Sequence, residues 1–269
     1  MSTLPLTRRA LLQAAAAGLL VPALSNAQAQ LSLSTAINRA ARFRALSQRC
    51  AKAYTQLYLD VLPDAARDTL ATAQRLIQAG FEDLGKAGFS GQVARQMAAV
   101  QQEATALNAQ LGVAPSKAGV ANVTAQADRM LAAAQKATEA LEEGARQPTA
   151  KLVNVAGRQR MLSQRLAKNY FLTAAGLDPR MLRDQSAADT VEFRQALSGL
   201  AAAPISTPSI RNELQLAESQ WVFFASALQR KPEPEALRTV ATTSERLLEV
   251  MNNLTNLYDA ALKDLLGTA

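Results

Sequence analysis

The 269-residue sequence has no histidine and a single cysteine. Without histidine there is no Ser-His-Asp or Cys-His catalysis, no His-ligated zinc and no axial-His haem. One thiol, Cys50, closes no intramolecular disulfide and holds no iron–sulfur cluster; it lies among apolar positions of a helical row and reads as a small buried hydrophobe. Aromatic residues make up 4% of the chain. That is too few for the interleaved stacking of single-strand nucleic-acid binding, so no nucleic-acid partner is expected. Glycine and proline, 12 and 10 in number, punctuate long Ala-, Leu-, Gln- and Arg-rich stretches of helical character. The formal charge of +7 suits small anions and acidic surfaces alike.

The closest approach to a phosphate loop is "GFEDLGKA", 80–87. It has Ala87 where the magnesium-binding hydroxyl belongs and follows a helical pattern, not a strand. Gly85 and Gly88 read as helix terminators. Glu139, Glu142 and Glu143 read as a solvated helix face rather than paired catalytic carboxylates. No enzyme, metal site or cofactor is expected from what remains.

The first residues, "TRRALLQAAAAGLLVPALSNAQA" (7–29), combine Arg8 and Arg9 with an apolar stretch and a small-x-small site at Ala27-Gln28-Ala29. This pattern predicts an export signal of twin-arginine appearance over 1–29, cleaved near Ala29 to leave a periplasmic protein. Gln13 and Pro22 interrupt the stretch, which is shorter than the roughly 20 residues of a membrane span.

The remainder says the same thing twice. "INRAARFRALSQRCAKAY" (37–54) lies over "VNVAGRQRMLSQRLAKNY" (153–170). Asn38, Arg42, Arg44, Ser47, Gln48, Arg49, Lys52 and Tyr54 recur as Asn154, Arg158, Arg160, Ser163, Gln164, Arg165, Lys168 and Tyr170. The same shift carries Pro63, Arg67 and Asp68 onto Pro179, Arg183 and Asp184. Breakers and apolar periodicity divide each copy into four helices, over about 33–60, 64–85, 91–111 and 117–145, then 150–176, 179–201, 208–230 and 235–265. The expected fold is therefore all-α: two tandem antiparallel four-helix bundles, 30–147 and 148–269, related by an internal repeat.

The two boxes concentrate cations without acids. No Asp or Glu occurs between 36 and 59 or between 150 and 177. At about 100° per residue, Val153, Gly157, Arg160, Gln164 and Ala167 share a row, as do Ile37, Ala41, Arg44, Gln48 and Ala51. Each row is a packing seam with one arginine and one glutamine in it, and Ser163 and Ser47 follow the arginines by three residues. If the seams face each other, two guanidiniums about 6 Å apart repel by roughly 3 kcal/mol at an effective dielectric of 20. A planar oxyanion between them would relieve that and accept forked hydrogen bonds. The alternative is an interhelical salt bridge from a third or fourth helix. That would leave a helical protein–protein interaction module with no small ligand.

"VNVAGRQRMLSQRLAK" resembles the N-terminal domain of the type IV pilus methyl-accepting chemotaxis transducer (PilJ-type) family. It is also similar to the box of nitrate/nitrite-responsive sensor domains. The resemblance implies four-helix bundles whose box helices hold one nitrate or nitrite between arginines of G-x-x-R-M elements. By that resemblance the ligand-binding arginine is Arg160, within "GRQRM" (157–161), and by the repeat Arg44; Gly157, Ser163, Gln164, Ser47 and Gln48, placed beside them by the helical rows, complete the candidate ligand-binding set. The first box departs from the pattern with Ala41 for the glycine and Ala45 for the methionine. Family receptors continue into kinase or methyl-accepting regions, and none is expected after the second bundle here. A membrane kinase, chemoreceptor or transporter is thus the expected partner, and the protein is expected as a monomer or homodimer.

Overall fold

Proline, serine and threonine set most of the helix starts. The computed structural model describes residues 31–145, 148–205 and 207–267; the export-signal stretch at 1–29 lies outside them. The helices are α1 (Leu33–Tyr58), α2 (Pro63–Gly85), α3 (Gly91–Leu111), α4 (Lys117–Ala145), α5 (Pro148–Ala174), α6 (Pro179–Ala201), α7 (Pro208–Leu228) and α8 (Pro234–Gly267). Five of them open on proline, whose fixed φ and missing N–H suit a first helical position. Ser32, Asp178 and Thr207 cap α1, α6 and α7, each accepting a backbone N–H three residues on. Gly176, at φ +74°, takes the left-handed turn after α5. Asp60 and Leu62 do the same between α1 and α2 without being glycine, which stores strain in that turn. The described residues contain no strand. The protein is all-α, and the helix limits fall within a few residues of those expected.

Within each half the contacts follow one pattern. Helix α1 packs on α2 and α4, and α3 on α4; α5 packs on α6 and α8, and α7 on α8. Helices α2 and α3 barely touch, nor do α6 and α7. The most extensive helix contact joins the halves, α1 against α5, and one apolar core runs through both. Each Leu or Phe buried in that core contributes about 1.5–3 kcal/mol. Gly80 sits inside α2 because the Phe43 ring covers it: a Cβ there would stand 2.9 Å from the ring. Its role in "GFEDLGKA" is therefore packing. Among the described residues, no helix is long and apolar enough to cross a membrane.

Candidate functional site

The seam rows are buried throughout. Ile37, Ala41, Arg44, Gln48 and Ala51 are each 0% exposed, and Val153, Arg160, Gln164 and Ala167 no more than 1%. Small residues bring the two helices together: a Cβ on Gly157 would stand 3.2 Å from the Ala41 Cβ. The same point lies 3.0 Å from Arg160 Nη2 and 3.7 Å from Arg44 Nη2. Both guanidiniums thus flank one spot at the helix crossing.

Each arginine is held by the opposite helix. Arg44 Nη2 donates to Asn154 Oδ1 at 2.7 Å and to the Asn154 carbonyl at 3.3 Å. Arg160 Nη2 donates to Asn38 Oδ1 at 2.9 Å and to the Asn38 carbonyl at 3.1 Å. These reciprocal reaches require α1 and α5 to run antiparallel, with Ala41 and Gly157 at the crossing. A fourth helix adds a further acceptor to each: Gln135 Oε1 at 2.6 Å from Arg44 Nη1, and Asn252 Oδ1 at 3.4 Å from Arg160 Nη1. Carboxylates stand one step further back. Asp259 accepts from Asn38 Nδ2 at 3.4 Å, and Glu142 accepts from Asn154 Nδ2. The acid fixes each amide so that its oxygen faces the arginine. Glu142 is thus part of this arrangement, whereas the sequence pattern had placed it on a solvated face.

No salt bridge to Arg44 or Arg160 occurs among the described residues. Arg160 Nε is buried there without a hydrogen-bond partner. Burial pushes the Arg44 guanidinium down to about 9, helped by Arg158 and opposed by Glu139, Glu142 and Glu192. Burial also holds Arg160 well below its ordinary value, with Arg42 and Arg44 adding to the effect and Asp259 opposing it. The Arg160 side is the more electropositive. Arg158 is paired with Glu192, while its counterpart Arg42 joins no ion pair among the described residues. Both buried guanidiniums are thus held by neutral amide and carbonyl oxygens, with the carboxylates one step behind them.

The other candidates point elsewhere. Ser47 Oγ donates to the Arg44 carbonyl at 2.9 Å and Ser163 Oγ to the Arg160 carbonyl at 2.8 Å. Gln48 Nε2 reaches the Ala127 carbonyl at 3.5 Å and Asp128 Oδ1 at 3.1 Å. Gln164 Nε2 reaches the Ser244 carbonyl at 3.0 Å. The glutamines therefore tie each box helix to the fourth helix of its own half, and the serines brace the backbone under the arginines. Cys50 is fully buried, its thiol pushed up to about 12 by burial and so kept protonated, with Arg49 opposing.

A second tier of contacts clasps the halves. Lys52, 0% exposed, donates to Glu245 at 2.5 Å and to Ser244 Oγ at 3.0 Å. Lys168, 1% exposed, donates to Asp128 at 2.8 Å. Each lysine reaches into the other half. Arg49 adds a fork onto Glu245, whereas Arg165 turns to Asp189 in its own half.

Residues 144–246 match the family model described as type IV pili methyl-accepting chemotaxis transducer N-term, PilJ. This segment, less than half of the chain, is similar to that family's domain. It runs from the end of α4 into α8 and contains Gly157, Arg160, Ser163 and Gln164; Arg44, Ser47 and Gln48 lie outside it. The family so described is that of chemotaxis-transducer N-terminal domains. Neither a curated protein nor a solved structure matches the chain. Beyond the residues singled out from sequence, Asn38 and Asn154 with Gln135 and Asn252 complete the surroundings of the arginines. The recurrence of the asparagines at matching positions was the signal that marked them.

Proposed function

We propose that residues 30–147 and 148–269 are two PilJ-type bundles in one exported, periplasmic chain, and that their joint seam binds a small oxyanion, nitrate or nitrite. Arg160 and Arg44 would hold the anion over Gly157. Its oxygens would take the donors now given to the amide oxygens of Asn38 and Asn154. Arg160, with its unpartnered Nε and the more positive surroundings, would be the stronger arm. The serines and glutamines would fix the helices on which the arginines stand. Signal output would pass to a membrane kinase, chemoreceptor or transporter. The observation that carries this reading is that two buried guanidiniums without an ion-paired carboxylate approach one point above a glycine.

A second reading has the seam as cement for a helical interaction module, with no ligand. The hydrogen bonds already made by both Nη2 atoms favour it. Thermal unfolding separates the two. An anion at a hundredfold excess over Kd adds about 2.7 kcal/mol, which raises the midpoint by about 5–10 °C. Nitrate or nitrite should do this where chloride at equal ionic strength does not, and Arg160→Ala should remove the effect. Equal responses to all three anions would leave the module reading standing.

A further inference from the structure

A cavity of about 470 Å³ opens at one end of the loosely packed α6–α7 pair, floored by α5. That volume falls within the roughly 300–1,000 Å³ of small-molecule sites. Leu166, Leu182, Leu228 and Tyr170 give it apolar walls, and Tyr170 OH closes one rim by donating to the Arg230 carbonyl at 2.9 Å. Further along the same pair of helices the Phe193 and Trp221 rings stack 4.2 Å apart and fill the gap.

Polar residues interrupt the apolar lining: Asn169, Thr173, Ser186 and Thr190 along its length, with Arg183, Gln229 and Arg230 beside them. Asn169 is 1% exposed. Its Nδ2 donates to Gln185 Oε1 at 2.8 Å and to Ser186 Oγ at 3.3 Å, while its Oδ1 has no hydrogen-bond partner. An amide oxygen buried without a donor is unfavourable and calls for one. The first half supplies a control. Where the second half has Asn169, Thr173 and Ser186, the first has Ala53, Leu57 and Leu70. At those positions the first half is apolar, and the cavity between its α2 and α3 lies elsewhere, along Gln74, Ile77, Phe81 and Leu107.

We propose that this cavity is a binding site for a small, largely apolar molecule bearing one hydrogen-bond donor, of the phenol or aromatic-alcohol class. The ring would lie against the leucines, and the hydroxyl would donate to Asn169 Oδ1. The site is separate from the arginine seam and does not rest on the oxyanion reading.

Phenol and anisole, which differ by that donor, test it on the purified full chain by ligand-observed NMR titration and calorimetry. Phenol should bind at one per chain, about tenfold more tightly than anisole. The double change Asn169→Ala with Ser186→Leu, which installs the first half's residues, should abolish phenol binding with the circular dichroism and unfolding midpoint retained. If that variant does not fold, Asn169→Ala alone should bring phenol down to the affinity of anisole. No phenol binding, equal binding of the two, or normal phenol binding by these variants would overturn the site.

Discussion

Gly157 on α5 faces Ala41 on α1 so closely that a Cβ on the glycine would stand 3.2 Å from that of the alanine. This contact sets how near the two arginines come. Gly157→Val should force the helices apart and cost about 1–3 kcal/mol, as overpacking does. Chemical denaturation should register that loss, together with the loss of any nitrate-dependent stabilisation. Unchanged stability in the variant would mean that the helices are not held at this distance in solution.

The asparagines and arginines should behave oppositely when removed. Asn38→Ala takes away the side-chain acceptor of a buried cation, Arg160, and should lower stability by about 1–3 kcal/mol. Arg160→Met removes the buried charge itself and fills similar space. It should be neutral or stabilising without ligand. A large loss on Arg160→Met would assign the arginine a structural rather than a ligand-holding role.

Glu245 links the halves and should impose an acid limit. Burial works against its ionisation, but Lys52 and Arg49 outweigh burial and bring the carboxyl down to about 2 from an ordinary 4.5. A carboxyl lowered in the folded state contributes stability above its unfolded pKa and loses that contribution as pH falls through the folded one. The window is therefore pH 4.5 down to about 2. Glu245→Gln should flatten the pH dependence there. At neutral pH it leaves Lys52 buried without its anion. That should cost toward the lower end of about 3–5 kcal/mol, since the Glu245 side chain keeps 30% exposure to screening water. Urea unfolding at a series of pH values reads both effects.

Stoichiometry checks the oxyanion proposal from another side. With both arginines in one chain, calorimetry should find one nitrate per monomer, and sedimentation should find no dimer linked to binding. One nitrate per two chains, bound only by a dimer, would place the site between chains.

Helix limits and buried rows were legible because they are local. Proline starts, capping side chains and a 3.6-residue period need only neighbouring residues to act. The partners of the arginines were not legible in the same way. Asn38 and Asn154 recur visibly, but that each meets the other helix's arginine depends on where α1 and α5 cross. Glu142 looked solvated because its charge pattern on α4 says nothing about an asparagine presented by α5. Arg49 and Arg165 occupy matching positions, yet one takes Glu245 across the joint and the other Asp189 within its half. Each choice was set by where the nearest carboxylate happened to be carried.

The clasps of Lys52 on Glu245 and Lys168 on Asp128 make the joint self-complementary: each side offers both a key and a lock. A surface of that kind joins two identical copies as readily as two halves of one chain. In a pair of identical subunits, however, every substitution appears on both sides at once. Within one chain the sides vary independently. Gln135 can face one arginine while Asn252 faces the other, and one bundle can carry a leucine where the next carries a serine. Asymmetry is what the covalent link makes accessible: two arginines in matching positions can be surrounded unequally, and two bundles of one plan can be lined differently.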